Sequence, residues 1–247
     1  MGLAEIYSGI SQEDRLLLEA VGVRPVTDSG VMFCGVTEAF AISGVTYQWA
    51  RGSELSWGIE FSRLGSLSDM DCKDAITAAL KEISECSDVK HRYAPNANGA
   101  NFKMIATRLD GASGVLADFQ IPVGNVSTVS TTLLGRFDDG ENWVLSDTPQ
   151  PGQIDFYRVA LHELEHGHGM GHRPANIPGA ALIAPIYDRN IRHLQQLDKD
   201  ELIRRYGINA NGPTVPPASA TVVEVKNMIV SVNGVNYTAS GKMKLAQ

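Results

Sequence analysis

Between Asp69 and Cys86 the apolar residues Ala75, Ile76, Ala79, Leu80 and Ile83 recur at helical spacing. That period predicts an amphipathic helix with Ser68 as its N-cap and a stripe that packs into a core. A shorter capped helix is expected over 11–22, SQEDRLLLEAVG, with Ser11 as N-cap, Asp14 three residues on and Gly22 as the stop. The stretches 45–50 (VTYQWA), 59–64 (IEFSRL), 101–107 (NFKMIAT) and 114–121 (GVLADFQI) read as strands. Residues 123–131, rich in Gly, Ser, Thr and Asn, read as a surface loop. A further helix is expected from near Ile154 to about Gly167. Beyond Gly207 the character changes: 209–219 (NANGPTVPPAS) reads as an extended linker, and 220–245 as strands. Asn233-Gly234 between IVSV and VNYTA is a two-residue hairpin signal. A hairpin of this size is not stable alone, so it is expected to dock on the main domain or on an assembly partner. The fold class is α+β.

Composition narrows the function classes. The chain has 247 residues, enough for one main domain plus extensions, with 43% hydrophobic and 20% charged residues. A net charge of −7 without a basic block points away from nucleic acid. No apolar run approaches the ~20 residues a membrane helix needs. The start, MGLAEIYSGISQEDR, lacks the basic end and apolar core of a secretory signal peptide, leaving a leaderless extracellular route and a virion-associated one both open. Cysteine usage suggests reduced thiols. There are three, and Cys72 and Cys86 on one helix stand about 21 Å apart, beyond disulfide reach.

Residues 162–172, HELEHGHGMGH, carry the chemistry. His162 and His166 lie about 40° apart on one helix face, so their imidazoles can grip one ion. Gly169 lets the chain leave the helix with positive φ and bring back His172 as a third ligand. Three neutral nitrogens leave a fourth zinc position open for water, as in catalytic sites. Glu163, next to a ligand, is placed to take that water's proton. The plain alternative is a helix that happens to carry histidines. Against it, the extended pattern fixes five identities in eleven positions and holds four of the six His. His168 lies about 240° around from His162 and reads as solvent-facing or as a residue behind the ligands.

The extended signature resembles the metzincin clan of zinc metalloproteases, and flanking residues resemble its matrixin family, the matrix-metalloprotease group. Tyr157-Arg158-Val159-Ala160-Leu161 resembles the run into the matrixin helix, and 178–187 (PGAALIAPIY) the Met-turn and the wall after it. Residues 197–202 (LDKDEL) with Tyr206-Gly207 resemble the closing helix, Leu116-Ala117 and Pro122 the substrate-side edge strand, and 137–143 (FDDGENW) an acidic run of the family. The resemblance covers about 45–207. It implies a metzincin-like domain: a twisted mixed sheet with a long helix and an active-site helix. A zinc endopeptidase is the implied activity, with its protein or peptide substrate paired along edge strand 115–120, and with Pro185, Ile186 and Tyr187 lining the pocket just beyond the cleaved bond.

The departures are informative. Ile183 replaces the Met-turn methionine. Asp118 and Arg136 replace the two histidines of a second, structural zinc, so one zinc is expected and an ion pair in its place. Asp138 and Glu141 fall on family calcium positions and are candidate calcium ligands, with a solvated acidic turn as the plain reading. Residues 33–38 (FCGVTE) loosely resemble the family's pro-segment motif, although Phe33 and Thr37 depart from it. That makes Cys34 a candidate inhibitory zinc ligand, against the alternative of a core thiol. The expected organisation is an N-terminal extension, a candidate pro-segment, over 1–44; the protease domain over 45–208; a linker over 209–219; and a hairpin extension over 220–247. Two other functions stay open: an assembly or virion component that keeps the fold without turnover, and a zinc amidase acting on cell-wall peptides.

Overall fold

The Ser68 hydroxyl accepts from the Asp71 N–H at 3.2 Å, and the Asp71 carboxylate accepts from the Ser68 N–H at 3.0 Å. This capping box starts helix α1, Asp69–Cys86, where the sequence places it. All five residues of the expected stripe are buried, as are Cys72 and Cys86 at its ends. The computed structural model describes residues 32–35, 48–61, 64–124, 126–173, 180–210, 212, 222–232 and 235–244. The helix expected over 11–22 and the hairpin turn at Asn233-Gly234 lie outside these residues. The chain divides into two compact units, Met1–Gly212 and Pro213–Gln247.

The first unit is built on a six-stranded sheet. Its strands in chain order are β1 (Phe33–Cys34), β2 (Glu54–Glu60), β3 (Lys90–Tyr93), β4 (Phe102–Thr107), β5 (Val115–Phe119) and β6 (Leu133–Asp138), arranged β1-β5-β6-β4-β2-β3. Only the β5–β6 pair is antiparallel. A short parallel pair, β7 (Trp143–Val144) with β8 (Ile154–Asp155), leads directly into helix α2, Phe156–Gly167. Helix α2 packs on α1, β5 and β6, while helix α3, Gln196–Tyr206, packs on α1. Every residue of α2 is buried, so the helix lies inside the unit rather than on it.

The strand expected at 45–50 is not formed over 48–50; the residues just before Gln48 lie outside those described. Trp49 is instead a buried plug whose indole N–H donates to the Gly167 carbonyl at 2.9 Å. The strand expected at 59–64 lies earlier, at Glu54–Glu60. Two strands carry little sequence signal. β3 is four polar or aromatic residues at a sheet edge. In β6, Gly135 breaks the alternation because a Cβ there would meet the Phe119 ring at 2.5 Å.

The second unit is the expected ribbon, β9 (Val222–Val232) antiparallel to β10 (Val235–Lys244). Val232, Val230 and Met228 pair with Val235, Tyr237 and Ala239, whereas Val225 and Val223 pair with Gly241 and Met243. The register shifts between these two sets, at Ala239/Gly241.

Candidate metal centre

Three imidazoles converge. His166 Nε2 stands 3.2 Å from His162 Nε2 and 3.2 Å from His172 Nε2. His162 and His166 sit one turn apart on α2, and Gly169, at φ 86°, turns the chain so that His172 returns to them. His162 Nδ1 meets the Leu182 carbonyl and His166 Nδ1 the Met170 carbonyl, each at 2.8 Å. A carbonyl can only accept, so each Nδ1 carries the hydrogen and each Nε2 offers a lone pair inward. Burial, and then the neighbouring His172, hold both rings well below the usual histidine range, so they are neutral.

The fourth donor is Cys34. Its sulfur lies 3.4 Å from His166 Nε2, and the four donor atoms lie within 4.8 Å of one another. Tetrahedral zinc sets ligand nitrogens about 3.3 Å apart and a sulfur about 3.6 Å from each nitrogen. The residues therefore fit that ion. Cys34 is partly buried in the site, which replaces the reading of it as a core thiol. Main-chain bonds hold its segment in the cleft: Cys34 N–H to the Pro185 carbonyl at 3.1 Å, Gly35 N–H to that of Ala117 at 2.8 Å, and Tyr187 N–H to that of Met32 at 2.9 Å. Residues 32–35 thus occupy the edge of β5 that was expected to take substrate.

Glu163 is fully buried, and neither carboxylate oxygen has a hydrogen-bond partner of normal geometry. Burial pushes its pKa well up, while contact with the Cys34 thiol works in the opposite direction. A fully buried carboxyl beside inward-facing imidazoles is a second sign that a ligand belongs here.

The surroundings fix the ligands. Asp198 on α3 is buried and accepts from the Leu182 N–H at 2.7 Å and the Ile183 N–H at 3.4 Å. It thereby holds the turn whose Leu182 carbonyl orients His162. Ile183 itself is buried. At the far end of α2, His168 is buried too, not solvent-facing. Its Nδ1 donates to the Leu164 carbonyl at 2.6 Å, so its Nε2 accepts from His91 Nε2 at 2.9 Å. Burial pushes His168 down to about 4, so this pair is neutral. The Tyr206 hydroxyl closes the turn, donating to the His168 carbonyl at 2.7 Å.

Asp118 and Arg136 face each other across β5 and β6 and form an ion pair, as expected. Asp138 and Glu141 are buried, so their turn is not a solvated one. Asp138 accepts from the N–H groups of Leu109, Asp110, Gly111 and Gly140, and Glu141 from that of Ser113 at 2.7 Å. The structure gives both carboxyls a part in folding the loop before β5. Among the described residues, only the Cys34–His162–His166–His172 group brings three or more side-chain donors to ligand distance. None of the sequence signals singled out Asp198, His91 or a second buried carboxyl, Glu165; nor did they suggest a role for Arg158. Each acts through burial, which a lone polar residue in a sequence does not announce.

Residues 48–207 match the family model described as Matrixin. Matrix metalloproteinase-25 of Mus musculus is 34% identical over 110 residues, and that of Homo sapiens 33% over 100. These alignments take in 44% and 40% of this chain but 17% of either relative's length. The match spans β2 to α3, including β5 and the three-histidine helix, and the chain belongs to the matrixin family.

Proposed function

We propose that this chain is a zinc-dependent endopeptidase, described here in a latent state closed by Cys34. The observation that carries the reading is the convergence of three Nε2 atoms, that of His166 at 3.2 Å from each of the other two, beside the buried carboxyl of Glu163. Zinc, when bound by His162, His166 and His172, supplies a Lewis acid that acidifies water and polarises a carbonyl. Glu163 takes the proton of the attacking water as its oxygen bonds to the scissile carbonyl carbon. The same carboxyl then gives that proton to the leaving nitrogen as the C–N bond breaks. Its buried position suits a group that must hold a proton between these steps. An extended protein or peptide substrate pairs with the outer edge of β5, where residues 32–35 now lie. The Cys34 sulfur fills the fourth ligand position until that segment is removed.

The test is zinc content together with cleavage of an unfolded protein by chain cut near residue 40, wild type against Glu163→Ala. The expected result is equal zinc and lost turnover. Near-wild-type hydrolysis in zinc-loaded Glu163→Ala protein would rule out the assigned base.

A further inference from the structure

A groove of about 390 Å³ runs between the outer side of α1 and the segment that leads into α3. Asp71, Asp74 and Ala78 form one wall, spaced so that they share a face of α1. Arg192 and His193 form the other, and Tyr157 and Leu145 lie between. The metal centre shares no residue with this groove. Tyr157 comes before His162 on α2 and stands about 140° around that helix from it, so groove and metal centre lie on different sides of α2.

The charges of the two walls do not cancel. Arg192 is fully engaged: its Nε donates to Asp155 at 2.7 Å, its Nη1 stands 2.5 Å from Asp147, and its guanidinium lies 4.5 Å over the Tyr157 ring. His193 Nδ1 lies 2.9 Å from Glu82, which also accepts from the Tyr157 hydroxyl at 2.5 Å. Each basic group thus has a carboxylate of its own. Asp71 accepts only from Ser68, and among the described residues no cation pairs with Asp71 or Asp74. Beside these two acids the surface is apolar, with Ala78 exposed and Leu145 40% exposed. An open apolar floor under an excess of negative charge complements a cation on an aliphatic stem. We infer that the groove docks a segment of the protein substrate that carries a lysine or arginine, its stem on Ala78 and Leu145 and its charged end at Asp71 and Asp74. The inference rests on the endopeptidase reading above. It puts part of substrate recognition away from the bond being cut, so it acts on whole proteins and not on short peptides that fill the cleft alone. An acidic segment would be repelled, and a wholly apolar one would cover two carboxylates without pairing them.

The experiment uses zinc-loaded full-length chain and two groove variants at exposed positions of α1: Asp74→Lys, which reverses a charge, and Ala78→Trp, which fills the floor. Asp88→Lys, exposed and outside the groove, matches the change in net charge. Binding is read by fluorescence anisotropy with a short labelled peptide of Lys, Leu and Ala, beside the same peptide with Glu in place of Lys. The Lys peptide should bind wild type and Asp88→Lys alike, each groove variant about three- to tenfold more weakly, and the Glu peptide should not bind. Cleavage is then measured with Cys34→Ser added to each chain. For an unfolded lysine-bearing protein, kcat/KM should fall by the same factor in the groove variants, through KM, while a short peptide spanning the cleft is cut at an unchanged rate. Peptide binding that is indifferent to both groove variants, or lost equally in Asp88→Lys, would overturn the inference. So would protein cleavage left unchanged by both groove variants, and the endopeptidase reading would then stand. No cleavage of protein or peptide would overturn that reading and this inference with it.

Discussion

Asp118 and Arg136 stand directly opposite each other on β5 and β6, with Arg136 Nε donating to Asp118 Oδ1 at 2.9 Å and a second bond beside it. This pair occupies the two positions where the family resemblance implies ligands of a second zinc. An arginine cannot give up its proton to bind a metal. One tightly bound zinc per chain is expected, and a measured stoichiometry of two would refute this. Because the Arg136 side chain is 45% exposed, Arg136→Ala should cost no more than about 1 kcal/mol of stability.

Cys34 supports a prediction with the opposite sign to most substitutions. Replacing a zinc-facing sulfur by a hydroxyl weakens the ligand, so Cys34→Ser should raise the activity of the full-length chain. Residues 32–35 remain bonded to Ala117, Pro185 and Tyr187, so the gain should be smaller than that from cutting the chain near residue 40. A zinc-loaded Cys34→Ser chain no more active than wild type would remove Cys34 from the mechanism.

Asp198 connects α3 to His162, a proposed zinc ligand, through Leu182. Its loss would strand the Leu182, Ile183 and Gln195 amides and free the His162 ring to turn. Asp198→Ala should weaken zinc retention by about 10- to 100-fold, with Asp198→Asn milder. Zinc competition with a chelator measures this, and equal retention in Asp198→Ala would show that the turn holds without it.

The convergence of His162, His166 and His172 was legible because the helix period sets the first two on one face and Gly169 turns the chain back, and that spacing survives in a bare sequence. Helix α1 was legible for the same reason: Ser68, Asp71 and the stripe from Ala75 to Ile83 all state one structure. β2 was misplaced because Gly58 interrupts it and because Trp49, which looks like a strand residue, is spent on sealing the end of α2. β3 was missed because an edge strand of Lys, His, Arg and Tyr has no apolar face to show. Cys34 was legible only through resemblance; its approach to His166 depends on pairing across the sheet that no local pattern encodes.

Glu141 makes stability depend on pH. Burial raises its pKa to about 7, with Asp138 and Asp110 adding to the rise and the Ser113 N–H opposing it. A carboxyl raised in the folded state contributes its full stability below its ordinary 4.5 and loses it as pH climbs through about 7. Tm should therefore fall across that window, and Glu141→Gln should flatten the fall. Calcium is the discriminating addition. Four amides already take the oxygens of Asp138, so millimolar calcium should leave Tm unchanged. A calcium-dependent rise seen in wild type but not in Glu141→Gln would instead make Glu141 a ligand.

Glu165 offers the sharpest stability test. It lies one residue before His166, a proposed zinc ligand, is 0% exposed, and neither of its oxygens has a partner. Burial raises its pKa well above the usual value, Asp198 and Glu82 raise it further, and Arg158 alone among the main contributors lowers it. The protonated form is thus the one the fold accommodates, and its contribution fades as pH rises from 4.5 upward. Met fills a similar volume, lacks the buried oxygens and favours helix, so Glu165→Met should remove a penalty rather than a contact. The expected gain is about 1–3 kcal/mol near neutral pH, shrinking as the medium is acidified toward the ordinary glutamate range. Because neither Glu165 oxygen bonds to any of the three histidines, zinc affinity should not change. Thermal unfolding of zinc-loaded wild type and variant across pH measures both effects. A Tm that drops on substitution, with zinc retained, would mean that the carboxyl has a stabilising partner in solution.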